Sequence, residues 1–294
     1  MKFNLATQGK RQPGSSFKTF VLAEAIRQGI SPDTIYTSRN LNIDMGAGAE
    51  PYQVYNYNYV ERGPISLKTA TEQSDNMVYV QLAQDLELEN VAATANNFGL
   101  GSTLDIYPAM AIGGLGEGAT PLEMASSYST PANGGTHIEP YLLERVTREQ
   151  DGEEATVEER EPQGTEVLTR DQAAAVTQTL RGVVERGTAG RYRNLDAEIG
   201  RPSAGKTGTT ELFVDAWYRL RAAARYQRLD RLPRGAPVHD LRAGVPGDQR
   251  RELPSGYLIP LHARGHEGPA CSGARYPKPV PQASSQDGRT LLQR

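Results

Sequence analysis

Residues 11–29 read RQPGSSFKTFVLAEAIRQG, and the reading of this stretch decides the rest. Gln12-Pro13-Gly14 is a turn signal. Apolar residues then recur at helical spacing, at Phe17, Phe20, Val21 and Ala25, until Gly29 caps the run and Pro32 follows it. The spacing predicts a helix from Ser15 to Gln28 with Ser15 and Lys18 in its first turn. Residues three apart on a helix share a face. A serine hydroxyl attacks only when a base removes its proton, and a lysine can be that base if burial and nearby cations lower its pKa. Unpaired N–H groups at the helix N-terminus would stabilise an oxyanion. Alone the pattern is weak: Ser203 and Lys206 form a second S-x-x-K, and an exposed helix turn has the same spacing.

Outward from this helix, residues 31–63 are rich in Tyr, Asn and Gly with poor periodicity, and are read as a long surface excursion. A helical pattern returns from Ser66 to Gln84, with Leu67, Ala70, Val78, Leu82 and Ala83 on its apolar face. Ser74-Asp75-Asn76 interrupts it, three residues that prefer caps and turns, so a helix–turn–helix junction is expected there. Leu88 to Phe98 reads as a short helix ended by Gly99. The segment GGLGEGATPLEMASSYSTPANGG opens as a glycine-rich loop and continues as a helix through Leu122, Met124, Ala125 and Tyr128. Residues 141–160 suggest a hairpin about Asp151-Gly152. Seven acids lie in 149–163, better explained as a solvated hairpin tip than as a cation site. Thr169 and Gln172 form a capping-box pair before a helix that Gly187 stops. In RPSAGKTGTTELFVDAWY, Lys206 to Thr209 has strand character and Phe213 to Tyr218 begins another strand.

Ser74-x-Asn76 is as weak alone as the first pattern, since Ser38-Arg39-Asn40 also matches, whereas Lys206-Thr207-Gly208 occurs once. The ordered set carries the force: helix N-terminus, helix junction, small-residue strand. On these residues the chain resembles the transpeptidase domain of penicillin-binding proteins, the serine acyltransferases that also include β-lactamases. RQPGSSFKTF is similar to the nucleophile segment of the bifunctional class A type. ATEQSDNMVYVQLA is similar to the second motif, SAGKTGTTELFVDAW to the third, and LGEGATPLEMASSYSTPANGG to the family's intervening loop and helix. The resemblance runs collinearly over residues 3–218.

The resemblance implies an α+β fold: a helical lobe and an antiparallel sheet flanked by helices, with the sheet incomplete here. It implies a D,D-transpeptidase that cross-links peptidoglycan stem peptides ending in D-Ala-D-Ala and is trapped by β-lactam antibiotics. Ser15 would be the nucleophile, Lys18 its base, Ser74 the proton relay to the leaving amine and Lys206 the group that tunes Ser74. Asn76, Thr207, Gly208 and Thr209 would bind substrate, with backbone N–H groups of Ser15 and Thr209 forming the oxyanion hole. No cofactor, metal or nucleic-acid partner is implied. A binding-only protein and an inactive remnant are the alternatives. β-Lactamase activity is disfavoured because no local Glu motif for a deacylating water is evident. The resemblance places such enzymes outside the cytoplasmic membrane.

A competing motif stands at Gly200 to Thr207, a full match to the P-loop pattern G-x-x-x-x-G-K-[ST]. A P-loop needs a buried strand before it and a helix after it. RYRNLDAEI precedes Gly200 with no apolar β-branched run, and GTTELF opposes an immediate helix, so nucleotide binding is disfavoured.

The chain has 294 residues, 37% hydrophobic and 23% charged, enough for one large or two ordinary domains. No run of 18 apolar residues is present to span a membrane, and the first residues lack a signal-peptide core. The net charge of −3 conceals −11 over residues 1–218 and +8 over residues 219–294. The latter segment is rich in Arg, Pro and Gly, lacks Phe and Trp, and carries the single cysteine, Cys271. The expected division is therefore a transpeptidase-like domain over 1–218, lacking the family's N-terminal strands, and an unrelated tail over 219–294. The tail is read as an out-of-frame translation of GC-rich DNA, with a disordered basic extension that binds an anionic polymer and a folded extra domain as the alternatives. With strands missing at both ends, the three motifs are expected to be present but poorly positioned.

Overall fold

The helix that carries the first motif is buried on all sides. In the computed structural model, which describes residues 3–209 and 216–222 apart from 47, 151, 192 and 193, Gly14–Phe17 form a 3₁₀ turn. Helix α2 (Lys18–Arg27) follows, preceded in the chain by the short α1 (Leu5–Gln8). The eight residues from Lys18 to Ala25 are all buried. Such a helix takes its stability from packing on every side rather than from one apolar stripe. Phe20 is its centre: its ring meets those of Phe17, Phe98 and Tyr128 edge-on at centroid distances of 5.1, 5.7 and 6.2 Å, the geometry the ring quadrupoles favour.

The surrounding helices begin where side chains can satisfy their free N–H groups. Helix α3 (Leu67–Glu72) is capped by Ser66 and α4 (Asn76–Asp85) by Asp75, with Gln73-Ser74 in the break between them. Helix α5 (Leu88–Asn97) leads to a 3₁₀ helix at Pro108–Ile112. Helix α6 (Pro121–Ala132) starts with a capping box from Thr120 and Glu123. Helix α7 (Arg170–Glu185) starts with the predicted box from Thr169 and Gln172. Helices α4, α5 and α7 and the 3₁₀ helix at 108–112 all pack on α2.

The strands form two-stranded antiparallel pairs among the described residues. β1 (Ile35–Ser38) pairs with β4 (Gly63–Ser66), and β2 (Leu41–Ile43) pairs with β3 (Tyr52–Val54). The excursion read over 31–63 is thus a nested pair of ladders. Strands of three or four residues are too short to establish a period, and their pairing is non-local. β5 (Thr136–Ile138) pairs with β8 (Gly164–Glu166). β6 (Arg145–Gln150) and β7 (Glu153–Glu159) are the expected hairpin, exposed along both strands. β9 (Ser203–Thr209) pairs with β10 (Ala216–Ala222), Gly208 opposite Trp217 and Lys206 opposite Arg219. β10 therefore crosses the composition break at residue 218, because a ladder is made by backbone groups whatever the side chains are. Phe213 to Asp215 and the tail beyond Ala222 lie outside the described residues.

The P-loop reading fails on this architecture. Helix α8 (Leu195–Ile199) stands before Gly200, which is its left-handed cap at φ 69°, and β9 follows. The pattern demands the opposite order, strand then helix. Among the described residues no helix is long and apolar enough to cross a membrane.

Since Phe20 is fully buried within three aromatic neighbours, Phe20→Ala should lower stability by about 3–5 kcal/mol, read from denaturant unfolding followed by circular dichroism.

Candidate active site

The first motif is held by its flanks. Arg11 and Ala119 exchange backbone hydrogen bonds of 2.9 and 2.8 Å. The Gln12 amide accepts from Leu115 N at 2.8 Å and donates to Leu115 O. The Trp217 indole on β10 donates to Gln12 O at 2.7 Å. Ser16 closes the 3₁₀ turn by donating to Pro13 O at 2.7 Å, and Tyr128 OH donates to Ser16 O at 2.6 Å. Between these anchors Ser15 is half-buried, and among the described residues its hydroxyl has no hydrogen-bond partner.

Lys18, one turn on, is fully buried. Its ammonium nitrogen donates to Ser74 O at 2.7 Å, Asn76 Oδ1 at 2.7 Å and Ser74 Oγ at 3.3 Å. Lys206, also fully buried, points in from β9 and donates to Ser74 Oγ at 2.8 Å and Thr207 O at 3.1 Å. One serine oxygen thus sits between two lysine nitrogens. Burial pushes the Lys206 pKa down to about 7. Burial, followed by the neighbouring Lys206 charge, holds Lys18 well below the usual lysine value, against the pull of Asp75. Desolvation and a like charge both favour the neutral amine, the form that can accept a proton.

The second motif is supported largely by residues from outside it. Ser74 has φ +56°, the left-handed region that a residue with a Cβ rarely adopts. Asp75, fully buried, caps α4 through Val78 N at 3.0 Å. Its other oxygen accepts from Ser38 Oγ and Asn56 Nδ2 at 2.6 Å each and from Arg62 at 3.2 Å. Asn56 Oδ1 accepts from Asn76 N at 2.6 Å, and Tyr55 O accepts from Asn76 Nδ2 at 2.8 Å. Asn56, Ser38 and Arg62 come from the ladder region read as an irregular excursion. Their spacing from Asn76 follows no helix or strand period, so nothing local could have revealed them.

The third motif lies against the first at backbone distance. A Cβ on Gly208 would fall 2.4 Å from Pro13 O and 3.0 Å from Ser16 N, and one on Gly14 would fall 2.9 Å from Thr209 O. Only glycine lets the strand and the 3₁₀ turn at 14–17 approach so closely. This contact sets Thr209 beside the turn that carries Ser15. Thr207 Oγ1 lies 2.7 Å from Thr188 Oγ1, a residue the sequence reading passed over. Residues Lys18, Ser74, Asn76 and Lys206 therefore form one hydrogen-bonded chain. Among the described residues no hydrogen bond joins the Ser15 hydroxyl to this hydrogen-bonded chain, so the structure brings together Lys18 with the second and third motifs, through contacts of α2, α3, α4, α7 and β9. The second S-x-x-K pair is a strand feature, with Ser203 Oγ donating to Asp196 at 2.6 Å.

The family model described as penicillin binding protein transpeptidase domain matches residues 2–220. Penicillin-binding protein 1A of Rickettsia bellii is 32% identical over 238 residues, 74% of this chain and 29% of the relative. Penicillin-binding protein 2D of Bacillus subtilis is 33% identical over 220 residues, 73% of this chain and 31% of the relative. The chain thus spans less than a third of the length of these curated relatives. Among solved structures, penicillin-binding protein 1A from Haemophilus influenzae aligns with TM-score 0.66 and 26% identity, over 74% of this chain and 37% of that one. An imipenem acyl-enzyme complex of penicillin-binding protein A from M. tuberculosis aligns with TM-score 0.62 and 25% identity, over 75% and 54%.

The buried lysines make stability depend on pH. Lys206 titrates near 7 in the fold against 10.5 when solvated, so between those values the unfolded chain binds the extra proton and stability rises with pH. Below about 7 the full penalty of charging the buried amine applies. Lys18 acts in the same sense. Urea midpoints measured from about pH 6.5 to pH 10 should climb for the wild type and climb less steeply for Lys206→Met, by up to about 1.4 kcal/mol per pH unit for one proton.

Proposed function

Because the chain belongs to the penicillin-binding protein transpeptidase family, matched over residues 2–220, we propose that it is a peptidoglycan D,D-transpeptidase working through an acyl-enzyme on Ser15. The observation that carries this reading is the Ser74 hydroxyl between two fully buried lysine amines, at 2.8 Å from Lys206 and 3.3 Å from Lys18.

Lys18, neutral, takes the Ser15 proton as Ser15 Oγ bonds to the carbonyl carbon of the penultimate D-alanine. Asn76 hydrogen-bonds the substrate amide, and the terminal carboxylate is held by Thr207 and Thr209 where β9 passes the nucleophile turn at Gly208. The carbonyl oxygen, now negative, is met by the N–H groups of Ser15 and Thr209. Collapse of this tetrahedral species breaks the peptide bond. The leaving amine of the terminal D-alanine takes its proton from Ser74, which recovers one from the lysines on either side. An amine of a neighbouring stem then attacks the ester carbonyl; the bond from that carbon to Ser15 Oγ breaks, the amine's proton passes by way of Lys18 to Ser15 Oγ, and the new amide is the cross-link. A β-lactam follows the same first step, but its leaving amine stays tethered and blocks the second attack. The partners are thus stem peptides ending in D-Ala-D-Ala and β-lactam antibiotics, and the working place is the outer face of the cytoplasmic membrane. The family match over residues 2–220 takes in nearly all of the proposed transpeptidase domain, 1–218, and leaves most of the proposed separate segment, 219–294, outside it, while β10 runs across the boundary to Ala222.

Fluorescent penicillin with intact-mass detection tests the reading. The wild type should gain one adduct and Ser15→Ala none, and the wild type should release D-alanine from a D-Ala-D-Ala peptide. An adduct without peptide turnover would reduce the protein to a penicillin binder. No adduct at saturating reagent would make it an inactive relative.

A further inference from the structure

The turn after α7 carries a hydroxyl that none of the three motifs includes. Thr188 Oγ1 lies 2.7 Å from Thr207 Oγ1, and the backbone around it is fixed. Thr188 N donates to Glu72 O, the last residue of α3, at 3.0 Å. Gly187 passes so close that a Cβ there would lie 2.3 Å from the same Glu72 oxygen. Arg186 clamps the Glu72 carboxylate at 2.6 Å. Thr188 is therefore bonded through its amide to the helix end that leads into Ser74, and through its hydroxyl to the strand that carries Lys206.

Hydroxyl chemistry fixes what this contact does. Each threonine has one proton to donate and lone pairs to accept. Either oxygen can be the donor when nothing else is bound. A carboxylate only accepts, so a carboxylate held by Thr207 consumes the Thr207 proton. The 2.7 Å contact then survives only with Thr188 as donor. Donation into Thr207 Oγ1 also polarises that hydroxyl and strengthens its bond to the anion. Without the Thr188 proton, the Thr207 hydroxyl can rotate away from the carboxylate or meet it with no donor behind it.

We propose that Thr188 is a positioning residue for the acyl-donor carboxylate: it donates to Thr207 Oγ1 and aims the Thr207 proton at the anion, while its amide ties that strand to the segment entering Ser74. This rests on the transpeptidase reading above. It assigns a role to the Gly187-Thr188 turn and predicts selectivity for substrates with a free carboxylate.

The test compares acylation by a penicillin and by its carboxyl methyl ester, for wild type, Thr188→Val and Thr188→Ser, with urea midpoints measured in parallel. Thr188→Val should slow acylation by the acid about 10-fold, in line with the loss of one hydrogen bond to a charge-bearing site, and acylation by the ester less than about 2-fold. Thr188→Ser should recover the acid rate. Equal slowing with both reagents would show Thr188 to be structural only and overturn the proposal, as would unchanged rates in Thr188→Val. If the wild type takes up neither reagent, the transpeptidase reading falls and takes this one with it. Wild-type uptake with an unselective Thr188→Val removes this inference alone.

Discussion

Two lysine side chains withdrawn from water around one serine oxygen are the constraint on which the site depends. Each amine at zero exposure would carry a large desolvation cost if charged. The fold answers in two ways. It lowers the affinity of both amines for protons, and it gives each nitrogen hydrogen-bond acceptors: Ser74 O, Ser74 Oγ and Asn76 Oδ1 for Lys18, Ser74 Oγ and Thr207 O for Lys206. Asp75, buried and paired with Arg62, supplies a negative counterweight while capping α4. The same carboxylate holds Ser38 and Asn56, so the two short ladders before α3 are fastened to the second motif by one side chain. Ser74 can remain at φ +56° because Asp75 and Asn76 on its C-terminal side are fixed by these bonds.

The other organising feature is close approach without side chains. Gly14 and Gly208 let the 3₁₀ turn that carries Ser15 lie on β9, and a Cβ on Gly113 would fall 2.0 Å from Gly14 O, so the 3₁₀ helix at 108–112 ends against the same turn. Three chain segments distant in sequence meet here through backbone, which leaves little room for the turn to shift. The Gln12 amide and the Arg11–Ala119 ladder extend the contact to the glycine-rich loop, and Tyr128 reaches it from α6. Placement of Ser15 thus follows from packing of the whole helical lobe, with α2 at its centre.

Much of this was legible in the sequence. The break at Ser74-Asp75-Asn76 followed from the cap preference of those residues, and Asp75 does cap α4. The Thr169–Gln172 box, the hairpin about residue 151 and the strand at Lys206–Thr209 followed from local chemistry. Helical spacing alone places the first turn in an α-helix, whereas Gly14–Phe17 is 3₁₀ and the α-helix starts at Lys18. The ladders over 35–66 were missed because pairing between strands of three or four residues is set by distant partners. Asn56 and Thr188 escape a sequence reading for the same reason: each acts on residues about twenty positions away, through side-chain hydrogen bonds, in a stretch with no period. The P-loop pattern shows the converse error, a correct string in the wrong order of elements.

Trp217 lends the molecule an optical property. It is the single tryptophan of the chain, it is 8% exposed, and its indole N–H is bonded to the carbonyl of Gln12, three residues before Ser15. Its tryptophan emission therefore originates at the seam between β10 and the segment that leads into Ser15. Emission excited at the tryptophan edge reports whether that seam is closed, without any label and in any buffer, and so distinguishes an assembled site from a merely helical chain.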